Sequence, residues 1–164
     1  MKGYRMCSFT IVPLSEKFAA QIRTSRKDEF NINVIEQVAT GYGPCRVSLT
    51  PFVLGKDIRL LFRHSPFSVR NAFDQPGPVF IHKKEVKAYS NIHRFPPEIK
   101  NDPVNFPLTL IGYSKDQKMV HTQLVGNNDI DELIVSIFAA NKNVDYLHAR
   151  NSEAGCYICK IERS

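Results

Sequence analysis

The order of elements predicted for the last third of the chain restricts the fold more than any other feature of the sequence. Alternating apolar residues predict strands over 108–113 and 119–125, and the polar segment between them has the length of a hairpin loop. An amphipathic helix is predicted next, over 128–141, with Asn128 as its N-cap. Strand pairs on either side of such a helix predict an α+β fold with a mostly antiparallel or mixed sheet. The closing strands are predicted over 144–149 and 156–162.

The first two thirds of the chain are predicted to add further strands and a second clear helix. The helix is expected over 15–23, and a hairpin through Gly55 is expected to join strands 45–49 and 57–63. The segment 64–78 lacks a regular period, and loops of this length in a compact domain are often functional. The remaining predicted elements are strands over 4–14, 34–39 and 79–82 and one helical turn near Glu98.

Composition places the chain among ordinary folded proteins. Its residues are 43% hydrophobic and 23% charged, and a length of 164 suits one domain over 1–164. The longest apolar helical segment, 133–140, is far shorter than the roughly twenty residues of a membrane-spanning helix, so no membrane association is expected. Four cysteines are too few and too irregularly spaced for a disulfide framework, which favours a reducing, cytoplasmic location.

Positive charge is concentrated in the middle of the chain. Residues 56–100 carry nine Lys and Arg against four acids, whereas residues 101–164 carry six against eight. A basic stretch of this kind fits an anionic ligand or nucleic acid, although no run of like charges exceeds two residues. A solvated basic surface without a partner explains the same pattern.

The most distinctive polar cluster is predicted around the loop that joins the last two strands. His148 is expected at the margin of the core, where an imidazole is suited to general acid or base catalysis. Arg150 is a candidate anion ligand, Asn151 a candidate orienting or binding group, and Cys156 a candidate catalytic thiol. The alternative is that His148 and Asn151 only hydrogen-bond the loop backbone.

Further candidates lie earlier in the chain. Cys45 is a candidate nucleophile, with the alternative that it is a small buried core residue. Arg46 is expected to point away from Cys45, and together with Arg63 it is a candidate anion ligand. Ser65 is a further candidate ligand at the start of the long loop, and turn initiation explains it equally.

Neither a metal nor a cofactor is predicted. Cys156 and Cys159 have a two-residue spacing that is found in zinc and redox sites. Both lie in a predicted strand, where this spacing directs their side chains to opposite faces, and a structural zinc site would need two more ligands.

Three sequence blocks resemble an uncharacterised bacterial family, domain of unknown function 1203. The first block is 44–49 followed by Gly55, and the second combines 65–67 with 77–80. The third contains the sequence from Tyr146 to His148, then Asn151, and then Gly155 to Tyr157. The resemblance covers roughly residues 41–164 and implies a single-domain bacterial protein, with no activity, cofactor or site residue attached to it.

Two classes of function follow from the sequence. The first is a site for a small anionic ligand, or a catalytic site, built from the blocks 44–49, 65–80 and 146–157. The alternative is a binding module that uses the basic region 56–100 to contact nucleic acid or another protein. The sequence leaves open whether the protein is an enzyme and which oligomeric state it adopts.

Overall fold

The computed structural model describes residues 8–164 as eight strands and three helices. The strands are β1 (Phe9–Val12), β2 (Ile35–Val38), β3 (Ile58–His64), β4 (Gly77–His82), β5 (Leu108–Tyr113), β6 (Met119–Leu124), β7 (Tyr146–Asn151) and β8 (Tyr157–Arg163). The helices are α1 (Glu16–Ser25), α2 (Pro97–Lys100) and α3 (Ile130–Ala140). This arrangement confirms the α+β fold class. The part of the predicted first strand that precedes Ser8 lies outside the described residues.

The strands form two separate antiparallel sheets. The larger sheet has the order β1-β8-β7-β5-β6, and the smaller has the order β2-β3-β4. The predicted hairpin between β5 and β6 is confirmed. The last two strands pair as predicted, but each begins later than expected, at Tyr146 and Tyr157. No helix in residues 8–164 combines the length and apolar character that a membrane span requires.

Helix α3 covers one face of the larger sheet. Its buried Ile130, Ile134 and Phe138 pack in a common core with Leu147 and Ala149 of β7. The prediction that Asn128 caps this helix is wrong. The N-cap is Asp129, whose carboxylate accepts a hydrogen bond from the backbone N–H of Glu132 at 3.1 Å, and a carboxylate at this position also complements the helix dipole.

Helix α1 packs against the smaller sheet and forms the second core. Ser15 caps it by accepting a hydrogen bond from the backbone N–H of Phe18 at 3.0 Å. The helix ends at Ser25, two residues later than predicted, because Arg26 adopts a left-handed conformation with a φ of 55°. The buried residues of this core include Ala19, Ile22, Cys45, Leu60, Phe62 and Ile81.

The predicted strand 45–49 is wrong, and so is its predicted hairpin with 57–63. The segment is a tight turn in which the backbone N–H of Leu49 donates to the carbonyl oxygen of Cys45 at 2.8 Å, and Leu49 has a φ of 54°. Strand β3 pairs with β2 and β4 instead. The alternation of apolar residues could not distinguish a strand from this turn. Cys45, Val47 and Leu49 are all buried in the turn, as they would be on one face of a strand.

Candidate functional site

Strand β7 presents a row of polar and aromatic side chains toward the smaller sheet. Leu147 and Ala149 point into the core beneath α3, so strand alternation places Tyr146, His148 and Arg150 on the other face. The same face carries Tyr113, whose strand pairs with β7. The space between the two sheets is therefore lined with groups that can hydrogen-bond.

His148 is fully buried inside a cage of aromatic rings. The centroids of Phe67, Tyr113 and Tyr157 lie 4.9, 4.9 and 5.0 Å from the centroid of the imidazole. Neither ring nitrogen has a hydrogen-bond partner among residues 8–164. Burial holds the pKa of His148 well below its usual value, and the positive charges of Arg150 and Lys160 lower it further. The prediction that His148 lies at the margin of the core is wrong, because its 0% exposure places it in the interior.

Arg150 has a buried guanidinium with most of its donors unused. Its Nη1 donates to the carbonyl oxygen of Gly155 at 2.9 Å, whereas Nε and Nη2 have no partner in the part of the chain that the structure describes. The hydroxyl of Tyr113 lies close enough to interact with the guanidinium but does not meet the geometry of a hydrogen bond. Burial raises the pKa of Tyr113, and the charge of Arg150 opposes that effect. Within residues 8–164, Arg150 forms no salt bridge.

We call these residues the inter-sheet cluster, defined as Phe67, Tyr113, His148, Arg150 and Tyr157. Five buried polar atoms in it have no hydrogen-bond partner within the described range 8–164: the Tyr113 hydroxyl, both nitrogens of His148, and Nε and Nη2 of Arg150. Buried polar atoms in folded proteins are nearly always paired, and unpaired ones concentrate where a ligand or ordered water belongs. The cluster is therefore the strongest candidate for a binding site in the described structure.

The long loop between β3 and β4 covers the inter-sheet cluster. Phe67 inserts its ring against His148 and Tyr113. Behind it, the side chain of Gln117 bonds both backbone groups of Val69, accepting from its N–H at 3.2 Å and donating to its carbonyl oxygen. Asn71 adds a hydrogen bond from its side-chain amide to the carbonyl oxygen of Gln117 at 3.1 Å. The loop is thus fastened to the β5–β6 hairpin by a small set of polar contacts.

Two further titratable residues lie near the cluster, His64 of β3 and Arg46 of the turn 45–49; burial lowers the pKa of His64. His64 lies 5.9 Å from Tyr157, centroid to centroid, and pairs with the carboxylate of Glu29. Arg46 donates from Nε to the carbonyl oxygen of Tyr157 at 2.6 Å and from Nη1 to that of Pro44. Burial lowers the pKa of Arg46 to about 10. In the described part of the chain its guanidinium has only carbonyl partners and no carboxylate.

A second group of titratable residues lies around the smaller sheet. Nε2 of His82, at the end of β4, lies 3.3 Å from Oδ2 of Asp57, and Cys45 forms a backbone bridge to Phe80 of the same strand. Burial alone raises the pKa of Cys45, but the nearby His82 and Ser48 outweigh it and lower the pKa to about 6. The structure places Cys45 in the core of the smaller sheet rather than in the aromatic cage of His148.

The other predicted site residues have local roles in the structure. The side chain of Asn151 accepts hydrogen bonds from the backbone N–H groups of Glu153 and Ala154, as expected for a turn residue. The hydroxyl of Ser65 donates to Oδ1 of Asp74 at 2.6 Å. Arg63 is exposed and stacks over Phe30, and Cys156 is half-buried just before β8.

Sequence reasoning missed Tyr113, His82 and Asp57. Phe67 and Tyr157 fall within the predicted blocks 65–80 and 146–157 but were not named as site residues, and the unpartnered donors beside them are visible only in three dimensions. His82 and Asp57 are separated by 25 positions and share no motif with Cys45. The pairing of β5 with β7 was the one signal that could have placed Tyr113 beside Tyr146, since the two residues are directly opposite.

Comparison with known proteins gives one match. A family model described as protein of unknown function (DUF1203) matches residues 42–163. No curated protein and no solved structure matches the chain. The matched range includes every residue of the inter-sheet cluster as well as Cys45, His82 and Asp57.

Proposed function

The chain belongs to the family of proteins of unknown function (DUF1203), and we propose that it binds a small anionic ligand at the inter-sheet cluster. In this proposal the anion is held by Arg150, and Tyr113 and His148 provide further hydrogen bonds. Phe67 closes over the bound molecule. The proposal concerns binding, and it assigns no reaction to the site.

The observation that carries the proposal is the guanidinium of Arg150, whose Nε and Nη2 have no hydrogen-bond partner among residues 8–164. A charged group taken out of water is strongly destabilising unless an opposite charge or a set of hydrogen bonds compensates it. Arg150 is 6% exposed, yet no described residue bonds to Nε or Nη2 and no described carboxylate pairs with the guanidinium. A bound anion supplies the missing opposite charge.

The free donors also define the chemistry of the ligand. A guanidinium edge with two free N–H groups matches two oxygens of one carboxylate or phosphate group. Neutral His148 offers one donor and one acceptor, and the Tyr113 hydroxyl offers a donor. The aromatic rings around them favour a ligand whose remainder is flat or apolar. We therefore expect a small organic carboxylate or phosphate.

The electrostatics of His148 favour binding over catalysis. A general base works best when its pKa lies near the working pH, and burial keeps the pKa of His148 well below neutrality. The imidazole is therefore neutral at pH 7 and is a weak base. This argues against the catalytic role predicted for His148 from the sequence, while its nitrogens remain suited to hydrogen bonding.

The loop that carries Phe67 supports a binding site that opens. The described contacts that fasten it include the two hydrogen bonds of the Gln117 side chain to Val69 and the bond from Asn71. Phe67 itself makes aromatic contacts, with His148 and Tyr113. Movement of this segment would expose the free donors of the cluster without disturbing either sheet.

The basic region 56–100 offers less support for nucleic-acid binding, the alternative suggested by the charge distribution. Arg59 is buried and bonds the side chain of Gln37, and its guanidinium stacks on Phe80. Lys83 and Lys100 form salt bridges with Glu36 and Asp131. Several of the basic side chains are thus engaged within the fold rather than displayed as one surface for a phosphate backbone.

The test is thermal unfolding of extensively dialysed protein with acetate, benzoate, phosphate or phenyl phosphate, at ionic strength matched by sodium chloride. At least one of these probes is expected to raise the Tm of the wild type in a saturable manner, because a ligand that binds only the folded state stabilises it. The Arg150→Met variant is expected to lose this response. Arg94→Met is the matched control, since Arg94 is exposed. If the probes shift wild type and Arg150→Met equally, the proposal is wrong.

A further inference from the structure

The outer edge of the smaller sheet is an interaction surface that lies outside the inter-sheet cluster. We propose that β2 binds an extended segment of a partner protein, which adds a strand to the sheet and carries alternating acidic and apolar side chains. The partner is defined by this pattern of side chains. The proposal does not depend on anion binding at Arg150.

Strand β2 has unpaired backbone groups along its outer edge. Its single neighbour in the described structure is β3. The backbone N–H of Ala39, the residue after β2, donates to the carbonyl oxygen of Asp57 at 2.8 Å, so the odd-numbered residues of β2 direct their backbone groups toward β3. The N–H and C=O groups of Glu36 and Val38 therefore point away from β3. An extended segment of another chain can pair with them.

The chain itself covers the edge just before β2. Val34 is in phase with Glu36, and its backbone N–H donates to the carbonyl oxygen of Arg26 at 3.0 Å. Because the segment 26–28 pairs with 32–34 in this way, the open part of the edge begins at Glu36. A short extended segment is therefore enough to complete the hydrogen bonds of this edge.

Exposed apolar side chains are concentrated around this edge. Residues 32–58 hold seven of the twelve large apolar side chains that are exposed in residues 8–164, namely Ile32, Ile35, Val38, Tyr42, Val53, Leu54 and Ile58. Val38 and Ile58 lie directly opposite each other on one face of the sheet. Ile35, on the other face, is 54% exposed. A strand added beside β2 would cover apolar surface on both faces.

Lysines surround the end of the edge where Val38 lies. A cavity of about 410 Å³ opens beside Ile58, the residue opposite Val38. The charged residues that line it are Lys56, Asp57, Lys83 and Lys84. Asp57 already has a partner, because its Oδ2 lies 3.3 Å from Nε2 of His82. The excess of positive charge beside the open edge favours carboxylates on the partner.

Glu36, the acidic residue of β2, does not reverse this preference. Its Oε1 lies 3.2 Å from Nζ of Lys83 and 3.1 Å from Nη1 of Arg26, and these two cations lower its pKa. The same charges disfavour a second copy of this chain as the occupant. Two β2 strands paired about a two-fold axis would bring both sets of lysines to one face of a joint sheet.

The open backbone groups favour a peptide over DNA as the acidic partner. The edge presents N–H donors and C=O acceptors in alternation, and an extended peptide offers the matching pattern. The phosphate backbone of DNA offers acceptors and could not pair with the C=O groups of Glu36 and Val38. The exposed apolar side chains beside them also match a peptide better than a phosphate.

The experiment follows the backbone amide signals of the isotope-labelled full chain by NMR during titration with a capped peptide of about five residues, a usual strand length, in which glutamate and valine alternate. The amides of Glu36 and Val38 are expected to shift in a saturable manner. A peptide with lysine in place of glutamate is expected to bind at least about tenfold more weakly. This comparison uses the wild type alone and needs no variant to fold.

Charge reversal beside the edge tests the lysines. The double variant with Lys56→Glu and Lys84→Glu is expected to bind the acidic peptide at least about tenfold more weakly. Its matched control combines Lys115→Glu with Lys142→Glu, two exposed lysines outside the smaller sheet, and has the same net charge. The control is expected to keep the wild-type affinity within about twofold, because charges distant from the edge are screened by salt.

The variant Val38→Pro tests the backbone pairing. Proline removes the outward N–H of this residue, and edge strands tolerate proline at such positions. Loss of one hydrogen bond is expected to weaken binding of the acidic peptide by about fivefold. Arg150→Met is expected to bind the peptide as the wild type does, which separates this surface from the inter-sheet cluster.

Four outcomes would overturn the proposal. The first is equal binding of the glutamate and lysine peptides, and the second is an unchanged affinity in the folded double variant with Lys56→Glu and Lys84→Glu. The third is a larger shift of the amides of Glu36 and Val38 with duplex DNA than with the acidic peptide, which would assign the edge to nucleic acid. The fourth is a wild-type dimer in sedimentation that Val38→Pro abolishes, which would assign the edge to a second copy.

Discussion

Replacing Arg150 with methionine is expected to stabilise the ligand-free protein, which is unusual for a change at a buried position. The substitution removes one hydrogen bond, from Nη1 to the carbonyl oxygen of Gly155. Gly155 is exposed, so its carbonyl can bond to water instead, and the loss is at the low end of the roughly 0.5–3 kcal/mol range for such bonds. In return the variant no longer buries an uncompensated charge.

The gain is expected to exceed the loss. Replacing a buried ion pair with apolar side chains of similar size is often neutral or stabilising by about 1–4 kcal/mol, and a buried charge without a partner lacks even the attraction within such a pair. Methionine has nearly the length of the arginine stem. Subtracting about 1 kcal/mol for the lost hydrogen bond leaves a net gain of up to about 3 kcal/mol. For a domain of this size, each kcal/mol corresponds to a Tm change of about 2–4 °C.

Urea unfolding of exhaustively dialysed wild type and Arg150→Met measures this difference. The variant is expected to have the higher free energy of unfolding without ligand, and the order is expected to reverse when a bound anion stabilises the wild type alone. Arg150→Lys keeps the buried charge but loses the pair of parallel N–H donors of the guanidinium. This variant is therefore expected to show neither the higher stability of Arg150→Met without ligand nor the stabilisation of the wild type by a bound anion. A loss of 2 kcal/mol or more in Arg150→Met without ligand, on the scale of a buried hydrogen bond to a charged group, would show that Arg150 is a structural residue and refute the reasoning.

Three further outcomes are expected. The pKa of His148 is lower in the folded protein than in the unfolded chain, so the unfolded chain binds the proton more strongly and acid destabilises the fold. The stability that His148 contributes is complete above its unfolded pKa near 6.5 and falls by about 1.4 kcal/mol at pH 5.5. Urea unfolding at pH 7.5 and 5.5 should show this loss in the wild type but not in His148→Gln. Gln117→Ala removes two side-chain hydrogen bonds to the loop that covers the cluster. It should lower the free energy of unfolding by about 1–3 kcal/mol and speed tryptic cleavage at Arg70. An unchanged cleavage rate would contradict the role of Gln117 in holding the loop. Asp129→Ala removes the N-cap of α3 and should lower the free energy of unfolding by about 1 kcal/mol, measured by thermal unfolding. An equal or larger loss in Asn128→Ala would contradict the assignment of Asp129 as the N-cap.

The fold was predictable where one local pattern dominates. The β5–β6 hairpin and α3 came from alternation and an apolar stripe, because each element is half-buried and its pattern reports that directly. The turn at 45–49 was not predictable in this way, since its apolar residues are buried in a compact turn and imitate a strand. The division into two sheets depends on long-range pairing, which local patterns do not encode.

The candidate site was predictable only in part. His148 and Arg150 were singled out because polar, titratable residues cluster around the loop between the last two strands. Arg150 was expected in that loop, but it lies within β7. Tyr113 joins them through pairing between strands that are distant in sequence, and Phe67 through the path of a loop without a regular period. The depth of burial of His148 was also missed, because the second sheet that covers it could not be inferred from β7 alone.

Prediction was also incomplete around Cys45. It was singled out from its residue type, and the alternative that it is a small buried core residue agrees with its 0% exposure. His82 occupies the end of β4, and Asp57 lies just before β3. The two strands are neighbours in the smaller sheet, so the carboxylate and the imidazole meet only after that sheet has formed.

The most direct test of anion binding is a crystal structure of the wild type grown with the probe that gives the largest thermal stabilisation. The expected result is electron density for the probe between Phe67 and Arg150, with its anionic group bonded to Nε and Nη2 and a second contact to His148 or Tyr113. Density for the probe elsewhere on the protein, with the inter-sheet cluster closed and Arg150 bonded only to protein atoms, would contradict anion binding at this site.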